Sequence, residues 1–285
     1  MNASLPVKAS PPEEPSETHT MPLLEHLAEL RKRLIYSVAT LFIAFFAAVP
    51  LSKQIYNFLA APLSRAMAEV GGANQMIYTA MAEAFMTQMK VAIFAAGFVT
   101  FPMFAHQLWG FVAPGLYKHE KRAILPFLFA APVLFFMGGA LAYYVVMPMA
   151  WKFLLGFQTL ATNPGDMSIQ MMPKVSEYLD TFMTMIFAFG LAFQMPVLLV
   201  LLARVGIISA KSLAEKRRYA IIIIFVFAAV VTPPDVISMM SLAVPMLVLY
   251  ELSVVGARIV GRKRDESTAA DGSDSGGADT DFNEA

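Results

Sequence analysis

The sequence predicts an all-α polytopic membrane protein of six transmembrane helices. Both termini are expected in the cytoplasm, the fifth and sixth helices are expected to be short, and loops are expected to cap the outer ends. Three observations predict this. Hydrophobic residues make up 58% of the 285 residues and charged residues only 15%, against about 25% charged in soluble domains. The apolar residues are gathered into runs, as a lipid solvent demands. Lysine and arginine fall unevenly on the two sets of connections between those runs.

The first run covers 34–49 and is closed by Pro50. The second reads as one helix over 76–109, apolar in its half from Val91 to Leu108, with a kink expected near Pro102. At about 1.5 Å per residue it exceeds the roughly 30 Å of hydrocarbon, so its first turns are expected to project beyond the bilayer. The third run is 123–147, where Gly138-Gly139 permits close helix contact. The fourth is 181–202. The fifth, 220–231, is short enough to span or to re-enter, and Thr232-Pro233-Pro234-Asp235 follows it. The sixth covers 236–255. Either reading of the fifth run returns the chain to the same side.

Orientation follows from the basic residues. One side holds Arg31, Lys32, Arg33, Lys118, Lys121, Arg122, Arg204, Lys211, Lys216, Arg217, Arg218, Arg258, Arg262, Lys263 and Arg264, fifteen in all. The other holds four: Lys53, Arg65, Lys152 and Lys174. The basic side is therefore expected to be cytoplasmic. On the outer side, 51–75 includes a short helix and Gly71-Gly72, and 156–178 is punctuated by Asn163-Pro164-Gly165 and Pro173. These two segments would form the cap. Residues 1–20 read as a disordered polar leader without the apolar stretch of a signal peptide. Residues 21–260 form the membrane domain, and 261–285 read as a disordered Gly-, Ser- and Asp-rich tail.

Several classes of chemistry are excluded. There is no cysteine, hence no disulfide and no thiolate metal site. Four dispersed histidines do not make a metal centre. Phosphate-binding, zinc-protease and serine-hydrolase motifs are absent. Balanced charge, with 21 basic and 21 acidic residues, gives no pull toward nucleic acid.

The informative polar groups lie at helix ends. Leu23, Leu27, Leu30 and Leu34 repeat at helical spacing on an amphipathic helix feeding the first span. Glu25, Glu29 and Arg33 stand four apart, which also suits a plain ion-pair ladder. Glu120 opens the third helix, where the helix dipole favours a carboxylate, and it follows the Pro114-Gly115 turn. Gln194, two residues before Pro196, is a polar group in an apolar run and needs a partner or water; a helix-to-helix hydrogen bond would satisfy it. Asp235 suits an N-cap of the sixth helix. Glu83 and Lys90, seven apart, share a face, and they and Glu251 are explained by salt bridges or a polar cavity wall.

Four motifs taken in order carry a resemblance: His26-Leu27-Ala28-Glu29-Leu30-Arg31-Lys32-Arg33-Leu34; Phe111-Val112-Ala113-Pro114-Gly115-Leu116-Tyr117-Lys118-His119-Glu120; Phe189-Gly190 with Pro196; and Thr232-Pro233-Pro234-Asp235. Together they resemble the TatC family of the twin-arginine protein translocase, over about 21–258. The resemblance implies a receptor in the bacterial cytoplasmic membrane and not an enzyme. It would bind the twin-arginine signal peptides of folded cargo, recruit TatB and TatA into a higher-order complex, and act with the proton-motive force, without a cofactor. Glu29 and Glu120 match carboxylates implicated in holding the signal arginines, and Leu30, Arg31 and Phe111 match the recognition region. Pro62 and Asp235 match other functional positions. Two departures matter. Many relatives carry glutamate where Gln194 stands, a site linked to TatA docking. Some carry glutamine where Met239 stands.

Rival classes are a secondary transporter, a membrane-embedded enzyme and a purely structural partner. A transporter would want ionisable groups at the midplane or broken helices in paired halves. An enzyme would want a catalytic cluster at one depth. A structural partner would not require two carboxylates among basic residues at the inner face.

Overall fold

The structure, a computed structural model, describes residues 21–70, 75–112, 121–159, 167 and 169–274. Every regular element among them is helical, with two isolated β-bridges, Ile77 to Lys174 and Thr159 to Ile169. The helices are α1 (Met21–Ala48), α2 (Ser52–Glu69), α3 (Glu83–Val112), α4 (Lys121–Leu141), α5 (Met147–Leu155), α6 (Val175–Ala192), α7 (Met195–Val205), α8 (Ala210–Glu215), α9 (Arg217–Val231) and α10 (Val236–Asp274). A 3-10 turn, Val49–Leu51, joins α1 to α2, and a five-residue π-helix, Ala142–Val146, joins α4 to α5.

Among the described residues, five segments are long and apolar enough to cross a membrane: Leu27–Glu69, Glu83–Leu108, Phe129–Leu155, Val175–Val205 and Val236–Gly261. The predicted fifth span corresponds to α9. Its 15 residues reach only about 22 Å at 1.5 Å per residue, short of the hydrocarbon thickness. The sixth helix is not short. No proline follows Pro245 to stop the helix, and it runs to Asp274, past the point where the sequence reads as a polar tail.

The third run is longer than its apolar core implies and ends at Leu155. Pro148 falls inside it. A proline lacks the amide hydrogen and crowds the carbonyl four residues back. The π-turn lies there, and Met147 N–H donates to Ala142 O across the widened turn. The turn also divides two neighbouring tyrosines: Tyr143 is 6% exposed and Tyr144 65%. The fourth run breaks between α6 and α7 at Phe193-Gln194, because Pro196 follows in the first turn of α7.

The second helix begins at Glu83 and not at Met76. The Glu83 carboxylate accepts from Thr79 N at 2.8 Å, Ala80 N at 3.2 Å and Ser176 N at 3.3 Å. It thereby holds the approach segment in a turn against α6. Glu83 does not pair with Lys90, which instead meets Asp180 at 2.7 Å. The helix continues unbroken through Pro102.

The first part of the expected loop cap is a helix. α2 carries Pro62 inside it, which leaves the Phe58 carbonyl without its helical donor. Tyr143 Oη–H donates to Phe58 O at 2.8 Å, and Tyr178 Oη–H donates to Leu59 O at 2.6 Å. The Phe58 ring stacks on Tyr143 with centroids 4.4 Å apart. Lys152 pairs with Glu69 at 2.7 Å farther along. α2 is thus fastened across the ends of the π-turn, α5 and α6. Gly71-Gly72 and Asn163-Pro164-Gly165 lie outside the described residues.

The core sits where α2, the π-turn, α6 and α10 converge, around Leu63, Met147, Phe182, Phe189 and Leu242, all under 2% exposed. Small residues bring α4 against α6: a β-carbon on Gly138 would lie 2.5 Å from Phe189 O, and one on Gly190 would lie 2.6 Å from Phe135. Buried positions fill 56% of the most apolar window in the α6–α7 segment but 11% in α1. The fourth run is therefore the central post and α1 an outer one. Phe42, Ile43, Phe46, Ile222, Ile223 and Val230 stay more than half exposed, as lipid-facing residues do.

Candidate functional site

The polar groups collect at the two ends of the bundle, named here by Glu29 and by α2. At the Glu29 end, α1 carries Glu29 and Arg33 one turn apart. Arg33 donates to Glu29 Oε1 through Nε at 3.0 Å and also through Nη2. Its Nη1 reaches across to Gln107 Oε1 on α3 at 3.3 Å. Gly110 makes room for this crossing, since a β-carbon there would collide with the Arg33 guanidinium. The pair is part-exposed, Arg33 at 25% and Glu29 at 33%.

Both Arg33 donors converge on one carboxylate oxygen. Glu29 Oε2 accepts no hydrogen bond from any described residue. A carboxylate has room for a bidentate partner as well as its own neighbour, so Glu29 retains acceptor capacity toward solvent. Leu30 is 42% exposed, and Arg31 and Lys32 are exposed beside it. Phe111 follows Gly110 directly on α3, so its backbone stands at the Arg33 crossing. The helix packing therefore brings Glu29, Leu30, Arg31 and the Phe111 segment to one end. Glu120, with the Pro114-Gly115 turn, lies outside the described residues.

The other predicted positions are elsewhere. Gln194 stands at the α6–α7 break, where its Nε2 donates to Ala131 O on α4 at 2.9 Å. This is the helix-to-helix bond that its depth requires. Asp235 caps α10: its Oδ1 accepts from Ser238 N at 2.6 Å. Its Oδ2 and the Ser238 hydroxyl are buried without a partner among the described residues. Pro62 is buried in α2. Glu251 pairs with Arg217 at 2.8 Å. Gln107 and Gly110 escaped the sequence reading as site residues. An amide near the end of an apolar run was the available signal for Gln107, whereas Gly110 carried none before its neighbour was known. Among the described residues no group of His, Asp and Glu could hold a metal ion.

A sequence model described as Sec-independent protein translocase protein (TatC) matches residues 25–245. The Sec-independent protein translocase protein TatC of Magnetococcus marinus is 48% identical over 250 residues, covering 88% of this chain and 89% of that protein. The protein of the same description from Azotobacter chroococcum is 43% identical over 259 residues, covering 90% and 97%. A crystal structure of the twin-arginine translocase receptor TatC superposes with a TM-score of 0.68 at 34% identity, covering 82% of this chain and 99% of that one.

Proposed function

This chain belongs to the TatC family of Sec-independent protein translocases, and from that premise we propose that it is the signal-peptide receptor of a twin-arginine translocase. It is a multi-pass membrane protein and a translocase component, not a catalytic enzyme. In our reading α9 is the fifth of six membrane-crossing elements, seated in thinned bilayer. Both termini and the Glu29 end face the cytoplasm, as the basic residues require, and the membrane is the bacterial inner one. Cargo bearing a twin-arginine signal docks at the Glu29 end. TatA and TatB then assemble with the receptor, and the proton-motive force drives transport.

The observation that carries this reading is the half-engaged Glu29 carboxylate. An incoming guanidinium offers a planar fork of donors that one carboxylate accepts bidentately. Glu29 has an open oxygen facing solvent, and its other oxygen is held by Arg33, a partner of the same chemistry that an arriving arginine displaces without leaving a buried charge bare. Arg33 would then keep its anchor on Gln107. Glu120 supplies the second carboxylate for the second arginine, with Leu30, Arg31 and Phe111 lining the approach. Lysine, a point charge without the fork, fits less well. Gln194 serves partner docking at the α6–α7 break. Pro62 and Asp235 shape the opposite end, Pro62 by fixing where α2 is fastened and Asp235 by fixing the start of α10.

The test is site-specific crosslinking of a signal peptide carrying Arg-Arg or Lys-Lys to wild type, Glu29→Ala and Glu120→Ala. We expect strong crosslinking only for Arg-Arg on wild type. Equal crosslinking in every combination would sink the proposal.

A further inference from the structure

We propose that the α2 end holds a phospholipid, its phosphate on Arg65 and one acyl chain in the apolar groove beneath. The site is assembled from two adjoining cavities. The upper, of about 140 Å³, is bordered by Arg65, Glu69 and Lys152 together with Pro62, Tyr144 and Pro148. The lower, of about 340 Å³, is an almost wholly apolar groove between α2, α3 and α4, with Phe58, Phe94, Phe98, Val99 and Phe136 among its walls. Tyr143 and Tyr144 border both cavities, so a polar chamber opens onto an apolar trough across a tyrosine sill.

Charge decides what the upper chamber takes. Lys152 is neutralised by Glu69 at 2.7 Å. Arg65 lies on the exposed face of α2 and, among the described residues, makes neither a hydrogen bond nor an ion pair. One uncompensated guanidinium therefore faces the chamber, and a guanidinium pairs with phosphate as a planar fork. The Tyr144 ring is 65% exposed, and its hydroxyl has no partner among the described residues. It stands at the sill, the level where tyrosines sit in a membrane interface. The trough below offers no hydrogen-bonding side chain other than the two tyrosines, so its occupant there must be hydrocarbon. A phospholipid joins these two chemistries, an anionic phosphate and a hydrocarbon chain, within one molecule. A free phosphate would leave the trough empty, and a peptide helix without an acidic residue at this level would leave Arg65 unanswered. The proposal is independent of the receptor reading, because it concerns the opposite end of the bundle.

The experiment is native mass spectrometry of the full chain released from nanodiscs of equal phosphatidylglycerol and phosphatidylcholine. Three variants are compared with wild type: Arg65→Gln, Arg65→Lys and Ala140→Trp, the last filling the trough from an exposed position. Thermal unfolding in phosphatidylcholine alone checks that each is folded. Wild type is expected to retain phosphatidylglycerol selectively. Arg65→Gln should lower that retention by about tenfold through loss of a charged hydrogen bond, Arg65→Lys should keep most of it, and Ala140→Trp should reduce retention of both lipids. Added inorganic phosphate should not displace the lipid. Equal retention of phosphatidylglycerol by wild type, Arg65→Gln and Ala140→Trp overturns the proposal, as does displacement by phosphate alone.

Discussion

At Glu29 the two donors of Arg33 crowd one oxygen, and the spacing that allows this was visible in the sequence. Residues four apart on a helix meet, so the pair was legible. Its far anchor was not, because Gln107 is 74 residues away and no local pattern ties it to Arg33. Lys90 is a similar case. A seven-residue spacing placed it on the face of Glu83, but the charge it meets, Asp180, comes from another helix. Gln194 was legible as a group in need of a partner, while the partner itself, the Ala131 carbonyl, could only come from the packing. That bond bears on its proposed docking role. Hydrogen bonds between membrane helices contribute only about 0.6 kcal/mol on average. Gln194→Leu should therefore unfold within a few degrees of wild type in the same detergent, yet bind a TatA membrane helix less tightly. Unchanged binding would leave the bond to Ala131 as the whole role of the residue.

At the scale of elements, the helices that the sequence described best are those set by composition, and those it described least are set by proline. α2 has a proline in its interior and charged and polar residues among its apolar ones, so it looked like a loop with one helical stretch; it is an 18-residue helix in which Tyr143 supplies the hydrogen bond that Pro62 removes. The π-turn before Pro148 and the break before Pro196 have the same origin. This compensation makes a specific prediction. Tyr143→Phe leaves the part-buried Phe58 carbonyl without a donor and should cost about 1 kcal/mol, the net contribution of a typical intramolecular hydrogen bond. In a Pro62→Ala background residue 62 regains its N–H, which can reach Phe58 O, so the same substitution should cost markedly less. Equilibrium unfolding of the four proteins in one detergent checks this. Additive effects would mean that the tyrosine does not serve the proline-freed carbonyl.

Taken whole, the molecule is a bundle whose lipid-facing sides carry little chemistry and whose two ends carry nearly all of it. The α2 end is tied down by Tyr143, Tyr178 and the Lys152–Glu69 pair. The Glu29 end is open, with part-exposed charges on an outer helix. A receptor for a basic signal is consistent with that asymmetry: one end rigid, the other offering acceptors to solvent. The number of crossings was the least legible global property, because α9 is short of a full span while α10 overshoots one, and hydropathy measures length more directly than tilt. The central proposal, that Glu29 and Glu120 each take one signal arginine, is tested most directly by a double-mutant cycle. The dissociation constants of Arg-Arg, Arg-Lys, Lys-Arg and Lys-Lys signal peptides are measured against wild type, Glu29→Gln and Glu120→Gln in nanodiscs. Each carboxylate should couple to one arginine position by about 1.5 kcal/mol or more and only weakly to the other. Effects that simply add, with the same loss whichever arginine is replaced, would contradict the assignment.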